Sequence, residues 1–189
     1  MTTLRWFTKI VKALKNEDGF LPLFFALMLP FIFFAWGLAI DFGRAHIAKE
    51  ELQTAADAGS LAAAATATTV PASIEYQPIT DSDGNVTGVQ ENVTKWKAEI
   101  QDEAAAQSAA QHLFQANAGN LSPGAGVDFN MSGDWNGAKV GDSSYDIKAG
   151  VRVKAPWAGA AAALLWGSKS YYKIPVSTMG TGQAFVNNN

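Results

Sequence analysis

The sequence predicts an α+β chain. A long N-terminal transmembrane helix continues as a rod and leads into a small antiparallel-sheet domain with two helices. Three observations predict this. Residues 19–40, GFLPLFFALMLPFIFFAWGLAI, are a run of 22 residues without a charge. Beyond them the apolar pattern narrows to a one-sided stripe at helical spacing. After Pro71 the period falls to two in several short stretches set between Gly-, Asn- and Asp-rich turns. The division is a basic cytoplasmic leader or interfacial helix at 1–18, a transmembrane span at 19–40, an extracytoplasmic helical rod at 41–69 and an exported α+β domain at 70–189.

The leader carries Arg5, Lys9, Lys12 and Lys15, and residues 1–16 hold no acid. Leu4, Phe7, Ile10, Val11 and Leu14 share one side at helical spacing. The segment is read either as a short interfacial helix or as a basic leader that only sets topology. At 1.5 Å per residue the span is about 33 Å long, enough for a hydrocarbon core of about 30 Å. Pro22 and Pro30 are tolerable inside it, and Trp36 suits the interface at its far end. Four bases precede the span and a near-balanced set follows it. The positive-inside rule therefore places the N-terminus in the cytoplasm and residues 41–189 outside. A cleaved secretory signal is the rival reading, with small-x-small triplets at Ala35-Trp36-Gly37 and Gly37-Leu38-Ala39. The apolar core is longer than a signal usually has, and the helical pattern runs through both triplets, which favours an uncleaved span.

In the rod, Ala45, Ala48, Leu52, Ala55, Gly59 and Ala62 follow a 3-4-3-4-3 spacing. Such a stripe of small residues lets another backbone approach closely. Two partners stay open for it, other rods in an assembly or the chain's own globular domain. Asp41 and Arg44 are spaced to pair at i, i+3 just beyond the span.

In the domain, SIEYQPITDSDGNVTGVQENV reads as a hairpin turning at Asp83-Gly84-Asn85. Its acids fail the EF-hand spacing. With Asp81 as position one, Val86 and Asn92 stand where glycine and glutamate are required, so the turn is read as solvated. Asn92 then caps a predicted helix over 93–118, with Val93, Trp96, Ile100, Ala104, Ala110 and Phe114 on its apolar face. Alternation at Val127, Phe129 and Met131, and again from Tyr145 to Val153, predicts two strands. SGDWNGAKVG between them reads as a turn-rich connection. PWAGAAAALLWG, from Pro156, predicts a helix of about 11 residues, too short to span a bilayer and suited to covering the sheet. A last strand region runs over 170–186, with Pro175 marking an edge or a bulge.

Composition narrows the function. There is no cysteine, which excludes disulfides, zinc thiolate sites and cysteine nucleophiles. Residues 41–189 hold ten bases against fifteen acids, so the main body lacks the basic footprint of a nucleic-acid binder. His46 and His112 belong to no metal signature and read as helix-surface or packing residues. Glu99, Asp102 and Glu103 read as a solvated face, and the scattered tryptophans as core and interface anchors. No catalytic, cofactor or metal site is expected, and the chain is not read as an enzyme.

The exit from the span, LAIDFGRAHIAKEELQTAADAGSLAAAA, resembles the N-terminal module of the TadE/TadG-like proteins of the Tad (Flp, tight-adherence) pilus system. Asp41, Gly43, Arg44, Leu52, Gln53, Ala55, Ala56, Asp57, Ala58, Leu61 and Ala62 carry the likeness, which covers about residues 19–65. Asp41, Gly43, Arg44 and Asp57 form its membrane-exit motif. The order of strand, APWAGAAAALLWG and strand is similar to the tail of some members.

The resemblance implies a single-pass protein of the bacterial inner membrane with a pilin-like exported domain. Its role would be that of a minor pilin-like structural or assembly component, meeting other pilus subunits through the N-terminal helix. A tethered extracytoplasmic adhesion module with no filament role is the alternative. The chain is too short for the von Willebrand-type domain of the long TadG-like proteins. Gly19 and Phe20 mimic a prepilin-peptidase processing site, but Phe24 stands where that site expects glutamate.

Overall fold

The computed structural model describes residues 17–122, 126–167 and 172–187. The proposed leader helix lies outside them. The described elements are α1 (Glu17–Ala64), β1 (Thr68–Thr80), β2 (Val86–Glu99), α2 (Glu103–Asn117), β3 (Val127–Asp128), α3 (Met131–Asp134), β4 (Trp135–Val140), β5 (Ser144–Ala155), α4 (Pro156–Trp166) and β6 (Tyr172–Gln183). The predicted α+β class holds: a long apolar helix is followed by antiparallel sheets and shorter helices. The chain divides into two compact units. Among the described residues, one holds those up to Arg44 together with those from Lys154 to Lys173, and the other holds those from Ala45 to Val153 with those from Ile174 onward.

α1 is one helix of 48 residues with Pro22 and Pro30 inside it. It stops at Ala64, short of the end at residue 69 predicted for the rod. The end is local: the Thr66 N–H (3.1 Å) and its Oγ1 (2.7 Å) both donate to the Ala63 carbonyl, and the Ala67 N–H donates to Ala64 (3.0 Å), a tightened i→i−3 turn that closes the helix.

β1 and β2 form a two-stranded antiparallel ribbon from Thr68↔Glu99 out to Thr80↔Val86, with irregularities near Ser73 and Ile79. Its turn is held by Asp81, whose Oδ1 accepts from the backbone N–H groups of Asp83 (3.0 Å) and Asn85 (2.8 Å). Gly84 takes the left-handed conformation there, at φ 81°. The donated bonds, that from Asn85 first, hold the Asp81 carboxyl below its ordinary range. These acids build a turn.

The ribbon overturns the predicted helix over 93–118. Its first part is the return strand β2, and Asn92, expected as the cap, pairs opposite Glu75. Val93, Thr94 and Trp96 favour a pleated strand, and a partner strand lies in register with them. The helix itself begins only at Glu103. The true N-cap is Asp102, accepting from the Ala105 N–H at 2.9 Å.

In the second sheet, β5 is the common partner. It pairs antiparallel with β3 and β4, and β6 also pairs with it. β4 lies where a turn-rich connection was predicted. Its glycines and asparagine masked a strand that runs from Trp135↔Ala149 to Val140↔Ser144. The alternation at Val127, Phe129 and Met131 yields only the short β3, because Asn130 caps the single turn of α3 by accepting from the Ser132 N–H.

The core of this unit gathers Leu52, Ile100, Phe114, Tyr145, Ile147, Val151 and Val153 around the alanines of α1 and α2. Phe114 packs against Phe129 and edge-on to Trp135, with centroids 5.6 and 6.3 Å away.

Candidate functional site

α1 changes its chemistry along its length. From Leu21 to Phe42 its large apolar side chains are mostly exposed, Trp36 at 70% and Phe31 at 69%. Among the described residues it is the one helix long and apolar enough to cross a membrane, with mean hydropathy 2.4 over its apolar stretch. Gly19 and Phe20 fall in its opening turns.

From Ala45 onward the burial reverses. Ala45, Ala48, Leu52, Ala55 and Gly59 are buried and Ala62 is half-buried. The buried residues lie in the core of their own unit. Gly59 marks the tightest approach: a Cβ there would sit 2.7 Å from Ile147 Cδ1 and 2.9 Å from the Ala110 carbonyl oxygen. Ala56, Ser60, Ala63 and Ala64 are buried as well, although the six-residue stripe omitted them.

Part of that second buried face is covered by β6. A Cβ on Gly180 would lie 2.6 Å from the Ala56 carbonyl oxygen, and one on Gly182 2.6 Å from the Leu61 nitrogen. Gln53 donates to the Met179 carbonyl at 3.1 Å and hydrogen-bonds the Thr178 hydroxyl. The glycine pair in MGTGQ and the dense alanines on both sides of Gly59 were the available signals. Small residues on both sides of a helix, facing a strand without side chains, allow backbone-to-backbone packing.

The residues expected to mark the membrane exit are placed separately. Asp41 is fully buried. Its Oδ2 accepts from the Ala158 N–H at 2.9 Å, in the first turn of α4. That helix starts Ala155-Pro156, and Ala155 offers no side-chain cap. Asp41 therefore supplies from across the sequence the acceptor that the local residues lack, at the positive end of the helix. Its Oδ1 is buried without a hydrogen-bond partner. Beside it Gly37 is buried, and a Cβ there would stand 2.6 Å from Cε3 of the Trp157 ring. Asp41 thus turns to α4, and it forms no ion pair with Arg44, which is exposed. The signal for this was negative: APWAG opens a helix with no Ser, Thr, Asp or Asn to cap it.

Gly43 has open space around its α-carbon. Asp57 is exposed and accepts from Gln53 at 2.8 Å. Both histidines are exposed on helices, and His46 lies 3.2 Å from Glu50. Among the described residues no group of three or more His, Cys, Asp or Glu side chains could hold a metal.

Residues 19–66 match the family "Tad: Putative Flp pilus-assembly TadE/G-like". The match coincides with the segment that carries the resemblance in the sequence. It takes in the exposed apolar half of α1, the Asp41 exit and the half buried in the sheet unit. No curated protein matches the chain, and no solved structure does.

Proposed function

We propose that this protein is a membrane-anchored, minor pilin-like structural or assembly component of a Tad-type pilus or secretion machine. The observation that carries the reading is the coincidence, in α1, of a membrane-capable apolar half with a pilus-assembly family match that ends where the helix ends. The apolar half holds the chain in the bacterial inner membrane, N-terminus in the cytoplasm. The sheet unit is displayed outside and acts by binding, without catalysis. Because Ala45–Gly59 pack within the chain, contact with other pilus subunits uses the apolar half and the exposed side of α1, where Phe42, Ile47 and Leu61 lie.

Deletion of the gene in the native host tests this. Loss of pili, restored by the full chain, supports an assembly role. Normal pilus number in the deletion strain sinks it. The mature mass then sorts the role: a full-length mass fits a resident assembly factor, and loss of residues 1–19 fits a subunit processed like a prepilin.

The adhesion reading has one observation in its favour. Ile74, Tyr76, Pro78, Val89 and Val93 share one face of the β1–β2 ribbon with Glu91, while Glu75, Gln77, Gln90 and Asn92 share the other with Ile79. Tyr76 and Val89 are well exposed. Deletion that spares pili but abolishes attachment to surfaces would favour this second reading.

A further inference from the structure

α4 reads PWAGAAAALLW and contains no polar or charged side chain. A helix apolar on every side belongs in a protein core or in lipid. α4 is not in a core. Pro156, Trp157, Ala160, Ala163 and Leu164 are exposed, Leu164 at 83%. They recur at three- and four-residue steps, so they form one continuous open face.

The position of α4 is fixed by two contacts at one level of α1. Trp157 lies over Gly37, and the Ala158 N–H is held by Asp41. That level is the end of the charge-free run, at the boundary expected of the bilayer. On α1 the protected positions there are Phe34, Gly37, Leu38 and Asp41, two turns of one face. Pro30, Phe31 and Phe33 are exposed, so the protection does not continue down the span.

From these observations we infer that α4 is a second membrane element, an interfacial helix lying in the leaflet on the Asp41 side of the span. The inference rests on the reading of α1 as a membrane span. Eleven residues rise only about 16 Å, half of a hydrocarbon core. Lys154 before the helix and Lys173 after it favour headgroup level for both flanks, which lays the helix in the plane of the leaflet. Gly167 closes the C-terminus in the left-handed conformation, its N–H donating to the Ala163 carbonyl at 3.0 Å. With Asp41 holding the Ala158 N–H at the other end, each terminus has one of its backbone groups partnered.

The absence of cysteine gives a clean test. Full-length chains carrying Leu164→Cys, Ala163→Cys, Ile32→Cys or Asp83→Cys are spin-labelled and reconstituted into vesicles of phosphatidylethanolamine and phosphatidylglycerol. Collision with oxygen and with a water-soluble nickel chelate is then measured at each label. At Leu164 and Ala163 the oxygen-to-nickel ratio should exceed that at Asp83 several-fold and fall below that at Ile32. A ratio equal to that at Asp83 would place α4 in water and overturn the inference. Shielding from both reagents would place it against protein, such as a second copy, and overturn it equally. Nickel access at Ile32 would remove the span itself, and with it this inference. A lipid-like ratio at Ile32 with a water-like ratio at Leu164 would remove only the interfacial helix.

Discussion

Residues 21–44 and residues 45–64 belong to one helix and live by opposite rules. The first part exposes Phe, Leu and Trp and buries Gly37 and Asp41. The second buries Ala, Gly and Leu52 and leaves most of its charges exposed. In water the first pattern would be an aggregation hazard, and in lipid the second would strand its charges. The helix does not change; its surroundings do. Side-chain size records that change: large residues where the helix is exposed, small ones where the neighbour is a fixed backbone.

Substitutions can break that contrast from either side. The largest effect is expected at the aromatic heart of the sheet unit. Phe114→Ala should destabilise it by about 3–5 kcal/mol, read as a lower melting temperature by circular dichroism in detergent. Ile32→Lys tests the other half. It should oppose membrane insertion by about 3 kcal/mol at mid-span while leaving the melting of the sheet unit unchanged. Salt-resistant membrane association of that variant at the wild-type level would refute the lipid-facing assignment.

Gly182→Ala should cost about 2 kcal/mol, because its Cβ would meet the α1 backbone rather than a side chain able to swing away. Asp41→Ala should cost about 1 kcal/mol and act locally. Amide exchange should quicken in the first turns of α4 and stay unchanged in β5. Asp41→Asn, which keeps an acceptor, should restore most of the protection.

The smallest effect is a pH effect at the root of the ribbon. Lys97 Nζ lies 2.7 Å from Asp142 and 3.1 Å from Glu99. The bond from Lys97 holds the Asp142 carboxyl below its ordinary range, and the bond to Asp142, followed by that to Glu99, lifts the lysine above its own. A depressed carboxylate contributes stability above its unfolded pKa and loses it as the pH falls through the folded one. A raised lysine contributes below its unfolded pKa and loses it as the pH rises through the folded one. The pair therefore helps most between about pH 4 and pH 10. Asp142→Asn should flatten the fall in melting temperature on the acid side slightly, an effect that high salt erases.

The sequence made the long apolar helix, β5 and β6 legible, because hydropathy and period report directly on burial. β5 is the clearest case, with Tyr145, Ile147, Ala149, Val151 and Val153 all buried as alternation requires. Other features depended on distant partners. Val93 and Trp96 fit a helical face as well as a strand, and only the pairing with β1 decides between them. The strand at Trp135–Val140 hid behind its glycine and asparagine. Asp41 carried no local sign that it would serve a helix 117 residues away. The stripe from Ala45 to Ala62 announced close packing without naming the partner.

The close fit of β6 on α1 also sets an order of events. Gln53 and Thr178 meet across 125 residues, and the alanines around them stay uncovered until the last strand arrives. Contacts that far apart are slow to close. If the chain emerges N-terminus first, α1 waits with its face at Ala56 and Ser60 bare while nearly everything else is delivered. The final twelve-residue strand then works as a latch. A chain interrupted before Gly180 would be left unfinished, with an open alanine surface on α1.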